Sequence, residues 1–195
     1  ENEFFTKESI IQALLSISDL LRKSKIEKWI YSYDLSLLTK SKNVGVFLAG
    51  NIPLVGFHDF LCVLILNHKF IGKLSSKDSV LFTYLVERLL IIEPRFKSKI
   101  FFHSNIFHSD IFICTGNDFS AKHFDFNLPS KPRIIRDSKT SIAILDGNET
   151  KQHIALLMKD IFLYFGLGCR NVSKLYIPRN YDIQSMKKYF LAYNH

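Results

Sequence analysis

The sequence has few of the short motifs that mark metal and nucleotide sites. It contains no Cys-x-x-Cys pair and no His-Glu-x-x-His run, so we expect no bound metal. Gly45 and Gly50 have the spacing of a phosphate-binding loop, but Asn51 and Ile52 stand where that loop needs lysine and then serine or threonine. Neither a Gly-x-Gly-x-x-Gly fingerprint nor a Gly-x-Ser-x-Gly turn is present. These absences exclude a Walker-type site and the usual serine-hydrolase turn.

Cysteine, glycine and proline are also scarce. The three cysteines, Cys62, Cys114 and Cys169, are an odd number and do not suggest a disulfide framework. Eight glycines and five prolines are too few for a chain rich in linkers. The acidic start of the sequence, Glu1–Glu3, does not resemble the basic opening of a secretory signal. A reduced, cytoplasmic protein is the simplest interpretation.

The composition is that of a folded, basic protein. Apolar and aromatic residues make up 47% of the 195 residues, and the formal net charge is +8. Such a charge suits an anionic partner, which includes nucleic acid, a phosphorylated cofactor and coenzyme A, and it does not choose among them. The most apolar stretch, 44–66, is interrupted by Asn51, Pro53 and Asp59, so we expect no integral membrane segment.

Apolar runs alternate with helical patterns along most of the chain. A first helix is predicted over 4–22 with Thr6 as its cap, and short helices over 22–40. We then expect strands over 44–49, 69–74, 99–102, 111–114, 141–145 and 172–177. Helices are expected over 54–66, with Pro53 in the first turn, and over 77–92, 118–126, 149–165 and 183–193. This alternation predicts an α/β fold with a Rossmann-like parallel sheet and flanking helices.

Parallel sheets bind ligands at the carboxyl ends of their strands, where three turns of this sequence fall. They are Gly50-Asn51, the run from Lys73 to Ser76 that includes Ser75, and Thr115-Gly116-Asn117. Each also has a plain structural interpretation. Asn51 is a favoured helix cap, Lys73 suits a solvated strand end, and Thr115–Asn117 suits an ordinary turn.

Cys169 differs from the other two cysteines in its surroundings. It follows Gly166 and Gly168 and precedes Arg170, whose charge would favour a thiolate. A small buried residue without chemistry is the alternative. Cys62 and Cys114 lie inside apolar runs and are expected in the core. The neighbours His58 and Asp59 would face different ways on a helix, so acid–base catalysis by that pair is not favoured.

Several of these segments together resemble the aldehyde dehydrogenase superfamily. Gly168–Pro178 resembles its nucleophile segment, and Gly50–Leu54 its Asn-Phe-Pro-Leu turn. Phe70–Ser76 resembles its cofactor strand, and Cys114–Asn117 its Phe-Thr-Gly-Ser turn. The resemblance is closer to LuxC-type acyl-CoA reductases in the sequences of three segments, Gly56–Phe60, Gly72–Asp78 and Tyr164–Ser173. The resemblance begins near Asn43 and stops shortly after the nucleophile, so it implies a truncated catalytic domain.

The resemblance implies an enzyme that reduces a fatty acyl-CoA to the aldehyde with NADPH or NADH. Cys169 would be the catalytic nucleophile, and Asn51 would stabilise the oxyanion. Lys73, Ser75, Thr115, Gly116 and Asn117 would bind the cofactor, and coenzyme A would be part of the substrate. Hydrolytic members carry a glutamate four residues before a lysine that aligns with Lys139, and Ile135 stands in its place. Without that base we expect exchange or reduction of the thioester to outrun hydrolysis.

The implied organisation is an N-terminal helical segment over 1–42, a nicotinamide-cofactor-binding domain over 43–133 and the start of a catalytic domain over 134–195. Other interpretations stay open at this point. They are another aldehyde dehydrogenase-like oxidoreductase, an inactive fragment, and a basic binding module. Nucleic acid is not expected as a partner, because Lys and Arg are spread along the chain instead of clustering with aromatics. Self-association of the chain is left open.

Overall fold

Short apolar runs build a parallel sheet in residues 1–137, the first of two units into which the chain divides. The computed structural model describes residues 2–38 and 40–193. The strands are β1 (Asn43–Phe47), β2 (Lys69–Lys73), β3 (Ile100–Phe102), β4 (Ile111–Thr115) and β5 (Arg133–Arg136), in the order β3-β2-β1-β4-β5. Every pairing between them is parallel, which confirms the predicted α/β class.

Five α-helices accompany this sheet within the described residues. They are α1 (Lys7–Leu20), α2 (Lys23–Ile30), α3 (Phe57–Ile65), α4 (Ser79–Ile92) and α5 (Asp118–Asn127). Thr6 caps α1 as predicted, because its Oγ1 accepts a hydrogen bond of 3.2 Å from the N–H of Ser9. The helices between successive strands are the connections that parallel pairing requires.

The alternation of side chains along each strand separates two apolar cores on the two faces of the sheet. Val46 and Ile113 belong to the core beneath α3 and α4, where the ring of Phe60 lies 5.0 Å from that of Phe70 and 5.5 Å from that of Phe82. The next residues, Phe47 and Cys114, belong to the other core. This alternation decides which way the residues at the strand ends face.

The strand order reverses between β1 and β4. From β1 the chain moves outward through β2 to β3, and it then returns to the other side of β1 for β4 and β5. In open α/β sheets the crevice for a ligand lies outside the carboxyl ends of the strands at such a reversal. The loops that follow Phe47 and Thr115 flank this position.

The second unit, residues 138–195, is built on a parallel pair of strands. It contains β6 (Ser141–Ile144), α6 (Lys151–Phe162), β7 (Val172–Tyr176) and α7 (Lys187–Leu191), with short 3-10 helices over Leu163–Gly166 and Ile183–Met186. Its core contains apolar side chains from the residue after β6, from α6 and from the 3-10 helix before α7, namely Leu145, Ile154, Leu157, Met158 and Met186.

The prediction that Pro53 opens the helix after β1 is wrong. That helix begins at Phe57, because Leu54 takes a left-handed conformation with φ of 55° that a helix cannot include. The N–H of Leu54 donates instead to Asp78 Oδ2 at 2.8 Å, from a loop 24 residues away. Asn51 is therefore not the cap of this helix, so the plain structural interpretation of Asn51 fails.

Three other elements also differ from the prediction. The strand β5 was not predicted, since four residues between Pro132 and a polar stretch form too short an apolar pattern. The helix predicted over 149–165 ends at Phe162, and the one over 183–193 is a 3-10 turn followed by the short α7. The remaining predicted strands agree with the structure to within two residues at each end.

Candidate functional site

The loops after β1 and β2 pack tightly against each other at the carboxyl edge of the sheet. The N–H of Leu48 donates to the carbonyl of Lys73 at 3.0 Å, which extends the pairing beyond the strands. A Cβ on Gly50 would lie 2.5 Å from Ser75 Oγ and 2.8 Å from Ser75 Cβ. Asn51, the next residue, is half-buried. The candidate residues Asn51 and Ser75 are thus held on adjoining loops.

We expect Gly50→Ala to lower the free energy of unfolding by about 1–3 kcal/mol, since the added methyl forces the two loops apart. Ser75→Gly removes the two nearest atoms that the methyl would meet, so the double variant should recover at least half of the loss. Urea denaturation of both single variants and the double variant measures this coupling. An equal loss with and without Ser75→Gly would show that the contact is not the cause.

Asp78 connects the same two loops from inside the fold. It is 5% exposed, and its Oδ2 accepts the hydrogen bond from Leu54. Its Oδ1 is buried and has no hydrogen-bond partner among the described residues. Burial raises the pKa of Asp78 to about 6, and the bond from the Leu54 N–H lowers it by a smaller amount. The folded protein therefore holds a proton on Asp78 more strongly than the unfolded chain does.

This raised pKa predicts a pH-dependent stability. Between pH 4 and 6 the folded state binds more protons at Asp78 than the unfolded state, so stability falls as pH rises through this window. Relative to Asp78→Asn, the wild type should gain about 2 kcal/mol between pH 7 and pH 4, after allowance for residual contact with water. Urea denaturation of both proteins at intervals across this range tests it. Parallel stability curves would contradict the prediction.

The candidate cofactor residues do not all face the same way. Lys73 Nζ lies over the ring of Phe47, 5.6 Å from its centroid, and Phe47 belongs to the core opposite α3 and α4. Thr115 follows Cys114 on β4 and faces the α3 side by alternation. Asn117 is exposed, and its Oδ1 accepts a 2.8 Å hydrogen bond from Ser120 N–H, so it caps the first turn of α5. Gly116 donates its N–H to the carbonyl of Arg136 at 3.1 Å.

Arg136 and Asp59 form an ion pair beside these residues that the sequence did not indicate. Arg136 Nη1 lies 2.7 Å from each carboxylate oxygen of Asp59. Asp59 is buried in the first turn of α3, whereas its neighbour His58 is exposed. The two neighbours face different ways, as expected, and Asp59 serves to orient an arginine at the end of β5. The 77 residues between the partners hide this contact from any local pattern.

Cys169 is the exposed one of the three cysteines. Cys114 is fully buried, and burial raises the pKa of its thiol to about 12. Cys62 is half-buried, and burial first, then the nearby charge of Asp59, raises the pKa of its thiol. Thiolates, not thiols, are the nucleophiles, so neither of these two cysteines is suited to react. Of the three, Cys169 is the one that a substrate can reach.

A single asparagine organises the turn that carries Cys169. Asn171 is 9% exposed, and its Oδ1 accepts a 2.8 Å hydrogen bond from the N–H of Gly168. Its N–H donates to the carbonyl of Gly168 at 3.1 Å, so Cys169 and Arg170 occupy the two central positions of a turn. The two hydrogens of its Nδ2 are shared among three carbonyls at the end of α6, those of Asp160, Ile161 and Leu163. These bonds satisfy carbonyls that a helix end leaves unpaired.

The segment between α6 and this turn has a left-handed backbone. Tyr164, Phe165 and Gly166 have φ values of 53°, 57° and 72°. Glycine adopts this conformation readily, but for each of the two aromatic residues it costs about 1–2 kcal/mol. Such strain persists where the surroundings impose it, and it often occurs at functional sites. Here the side chain of Asn171 bonds to Leu163, just before the segment, and to Gly168, just after it.

The two proposed catalytic residues belong to different units, Asn51 to the first and Cys169 to the second. The second unit also has an open cavity of about 450 Å³, which includes Asp146, Tyr181, Met186 and Lys188 in its lining. This cavity lies beyond the carboxyl ends of β6 and β7, whereas Cys169 precedes β7. It is therefore not the site of the candidate nucleophile.

Two features are absent from the described part of the chain, 2–38 and 40–193. No helix there has the length and apolar character needed to cross a bilayer. No three His, Cys, Asp or Glu side chains come together there as a metal site would require.

The fold resembles that of aldehyde dehydrogenases of known structure. PutA from Anabaena variabilis matches 92% of this chain with a TM-score of 0.64 at 15% identity. The aldehyde dehydrogenase KauB from Pseudomonas aeruginosa and the NAD⁺ complex of an aldehyde dehydrogenase from Bacillus cereus each match 77% with a TM-score of 0.57, at 20% and 16% identity. The chain spans 43% of PutA and 33% of each of the others, less than half their length. No family model and no curated protein matches the sequence.

Proposed function

We propose that the protein takes part in the NAD(P)H-dependent reduction of a fatty acyl-CoA to the aldehyde, with Cys169 as nucleophile. The observation that carries the proposal is the position of Cys169. It is an exposed thiol in a turn held by Asn171, within an α/β fold like that of aldehyde dehydrogenases. The exposed turn gives an acyl group access, and the bonds of Asn171 fix the direction in which the thiol is presented.

The reaction begins with attack of the Cys169 thiolate on the carbonyl carbon of the thioester. A bond forms between Cys169 Sγ and that carbon, the bond to the sulfur of coenzyme A breaks, and coenzyme A leaves as a thiolate that takes a proton from water. We assign Asn51 as a donor to the oxyanion of this step. A single donor of this kind contributes about 3–4 kcal/mol to stabilisation of the transition state.

The carboxyl edge of the first unit has groups that fit a dinucleotide. Thr115 Oγ1 is buried without a hydrogen-bond partner among the described residues, at the point where the strand order reverses. A bound nicotinamide would supply the hydride that reduces the acyl group. We assign cofactor binding to Thr115, Gly116 and Asn117 on one loop and to Lys73 and Ser75 on another. The NAD⁺ complex of the Bacillus cereus enzyme supports a dinucleotide on this fold.

The surroundings of Ile135 favour reduction of the thioester over its hydrolysis. Ile135 lies on β5 beside Cys114 and packs against the core opposite α3, an apolar setting. No carboxylate at this position can activate water against a thioacyl enzyme. The thioester should therefore persist until it is reduced or returned to coenzyme A.

Two activity assays test the proposal, one for reduction of an acyl-CoA and one for oxidation of an aldehyde. A long-chain acyl-CoA with NADPH or NADH should yield fatty aldehyde and free coenzyme A, measured by loss of absorbance of the reduced cofactor and by mass spectrometry of the aldehyde. Oxidation of short aldehydes without coenzyme A would favour another aldehyde dehydrogenase-like oxidoreductase. Absence of turnover together with absence of dinucleotide and acyl-CoA binding would contradict the proposal.

A further inference from the structure

Arg136 presents a fixed positive charge at the carboxyl edge of the sheet, one strand beyond the position between β1 and β4 where the strand order reverses. It is the last residue of β5, and its side chain is 45% exposed, whereas that of Asp59 is 9% exposed. The ion pair is made through Nη1, which approaches both carboxylate oxygens. A guanidinium has five N–H donors in a rigid plane, so fixing one nitrogen also fixes the direction of the others.

Thr115 lies directly beside this arginine. The two residues are partners in the register of β4 and β5, and paired residues of parallel strands face the same side of the sheet. The N–H of Gly116 donates to the carbonyl of Arg136, which locks the two strand ends together. Thr115 Oγ1 is buried and has no partner among the described residues. A hydroxyl left in this state costs about 1–3 kcal/mol unless a ligand or water completes it.

An oriented guanidinium next to an uncompleted hydroxyl is suited to a phosphate group. Phosphate oxygens accept from both, and arginine matches their geometry through parallel N–H bonds. The position is also where α/β sheets bind phosphorylated ligands, and the net charge of +8 attracts them. We propose that Arg136, with the hydroxyl of Thr115, binds a phosphate of the ligand at this edge. This inference rests on the proposed function, whose cofactor and substrate both carry phosphates.

The ion pair with Asp59 has a structural alternative, a clamp between α3 and β5. The chain offers a matched control for this alternative in Arg133, at the opposite end of β5. Arg133 Nη2 pairs with Asp125 Oδ1 at 2.8 Å, and the arginine side chain is 30% exposed. Arg133→Met therefore removes the same charge and an ion pair from the same strand, away from the carboxyl edge.

Calorimetric titration of NADPH, NADH and coenzyme A into the wild type and variants tests the inference. Arg136→Met should weaken binding of at least one of the three ligands by about 10- to 100-fold, while Arg133→Met should change it by less than about threefold. Asp59→Asn should weaken binding by less than about threefold, because asparagine keeps one oxygen that can accept from Arg136 Nη1 and the variant removes a negative charge near the phosphate. A clamp would instead make Asp59→Asn and Arg136→Met equally harmful to binding and to the melting temperature.

The three ligands also identify the phosphate. Weakening confined to NADPH assigns its 2′-phosphate, weakening of both dinucleotides assigns the pyrophosphate, and weakening confined to coenzyme A assigns the substrate. If Arg136→Met binds all three within about twofold of the wild type, the inference is wrong and the proposed function stands. If the wild type binds none of them, the proposed function fails. Titration with inorganic pyrophosphate then tests the phosphate site alone. If the wild type binds pyrophosphate and Arg136→Met does not, the site is supported, and any other result overturns it.

Discussion

Replacement of Cys169 by alanine should abolish transfer of an acyl group from acyl-CoA to the protein. Without a reductant, the wild type should gain the mass of the acyl chain on Cys169, because the thioacyl intermediate cannot proceed to aldehyde. The variant should form this adduct at least about a thousandfold more slowly, as is typical when a nucleophile is removed. Intact-protein mass spectrometry gives the rate, and peptide mapping gives the modified residue.

Cys62→Ser is the control for this experiment. Its thiol has a raised pKa and is half-buried, so its removal should leave the rate of acylation unchanged. The fully buried Cys114 should remain unmodified in both proteins. An adduct on Cys62, or equal acylation of the wild type and Cys169→Ala, would eliminate Cys169 as the nucleophile. A folded wild type without any adduct would remove the main support for acyl-CoA as substrate.

The alternating apolar runs were sufficient to predict the class of the fold and most strands. The errors arise where contacts between distant residues override local preference. Pro53 is a favourable residue for a helix start, but the bond from Leu54 to Asp78 places a left-handed residue there and delays the helix to Phe57. The helix α6 likewise ends earlier than predicted, at Phe162, because the side chain of Asn171 donates to its last carbonyls from beyond the turn. Neither contact follows any periodic pattern.

For the candidate site too, local features could be predicted and contacts between distant residues could not. Cys169 could be nominated because its glycine-flanked segment is local and resembles a known motif. The geometry of its support could not, since the role of Asn171 depends on carbonyls up to 11 residues before it. No sequence pattern indicated a role for Arg136, because its strand was not predicted and its partner Asp59 lies on α3, far away in the sequence. Roles that arise from packing across the sheet need the structure, whereas strand-end turns can be located from the sequence.

The strongest test of the support around Cys169 is Asn171→Ala. The variant loses the bond from the N–H of Gly168 and the two hydrogens of Nδ2, which three carbonyls at the end of α6 share. Some of these groups regain water, so the net loss in free energy of unfolding should be about 3 kcal/mol, at about 1 kcal/mol for each of the three hydrogens lost from these bonds. The left-handed backbone at Tyr164 and Phe165 would also lose its restraint and relax. Urea denaturation followed by tyrosine fluorescence measures the loss, with the exposed Asn180→Ala as control.

Hydrogen exchange separates this specific role from general damage to the fold. In the wild type the amide of Gly168 should exchange slowly, because it donates to a buried side-chain oxygen. In Asn171→Ala it should exchange far faster, while amides in the middle of α6 keep most of their protection. The acylation rate of Cys169 should fall with the loss of Gly168 protection, since a mobile turn no longer presents the thiol in one direction. Fast exchange at Gly168 in the wild type would mean that Asn171 does not hold the turn, whatever the stability of the variant.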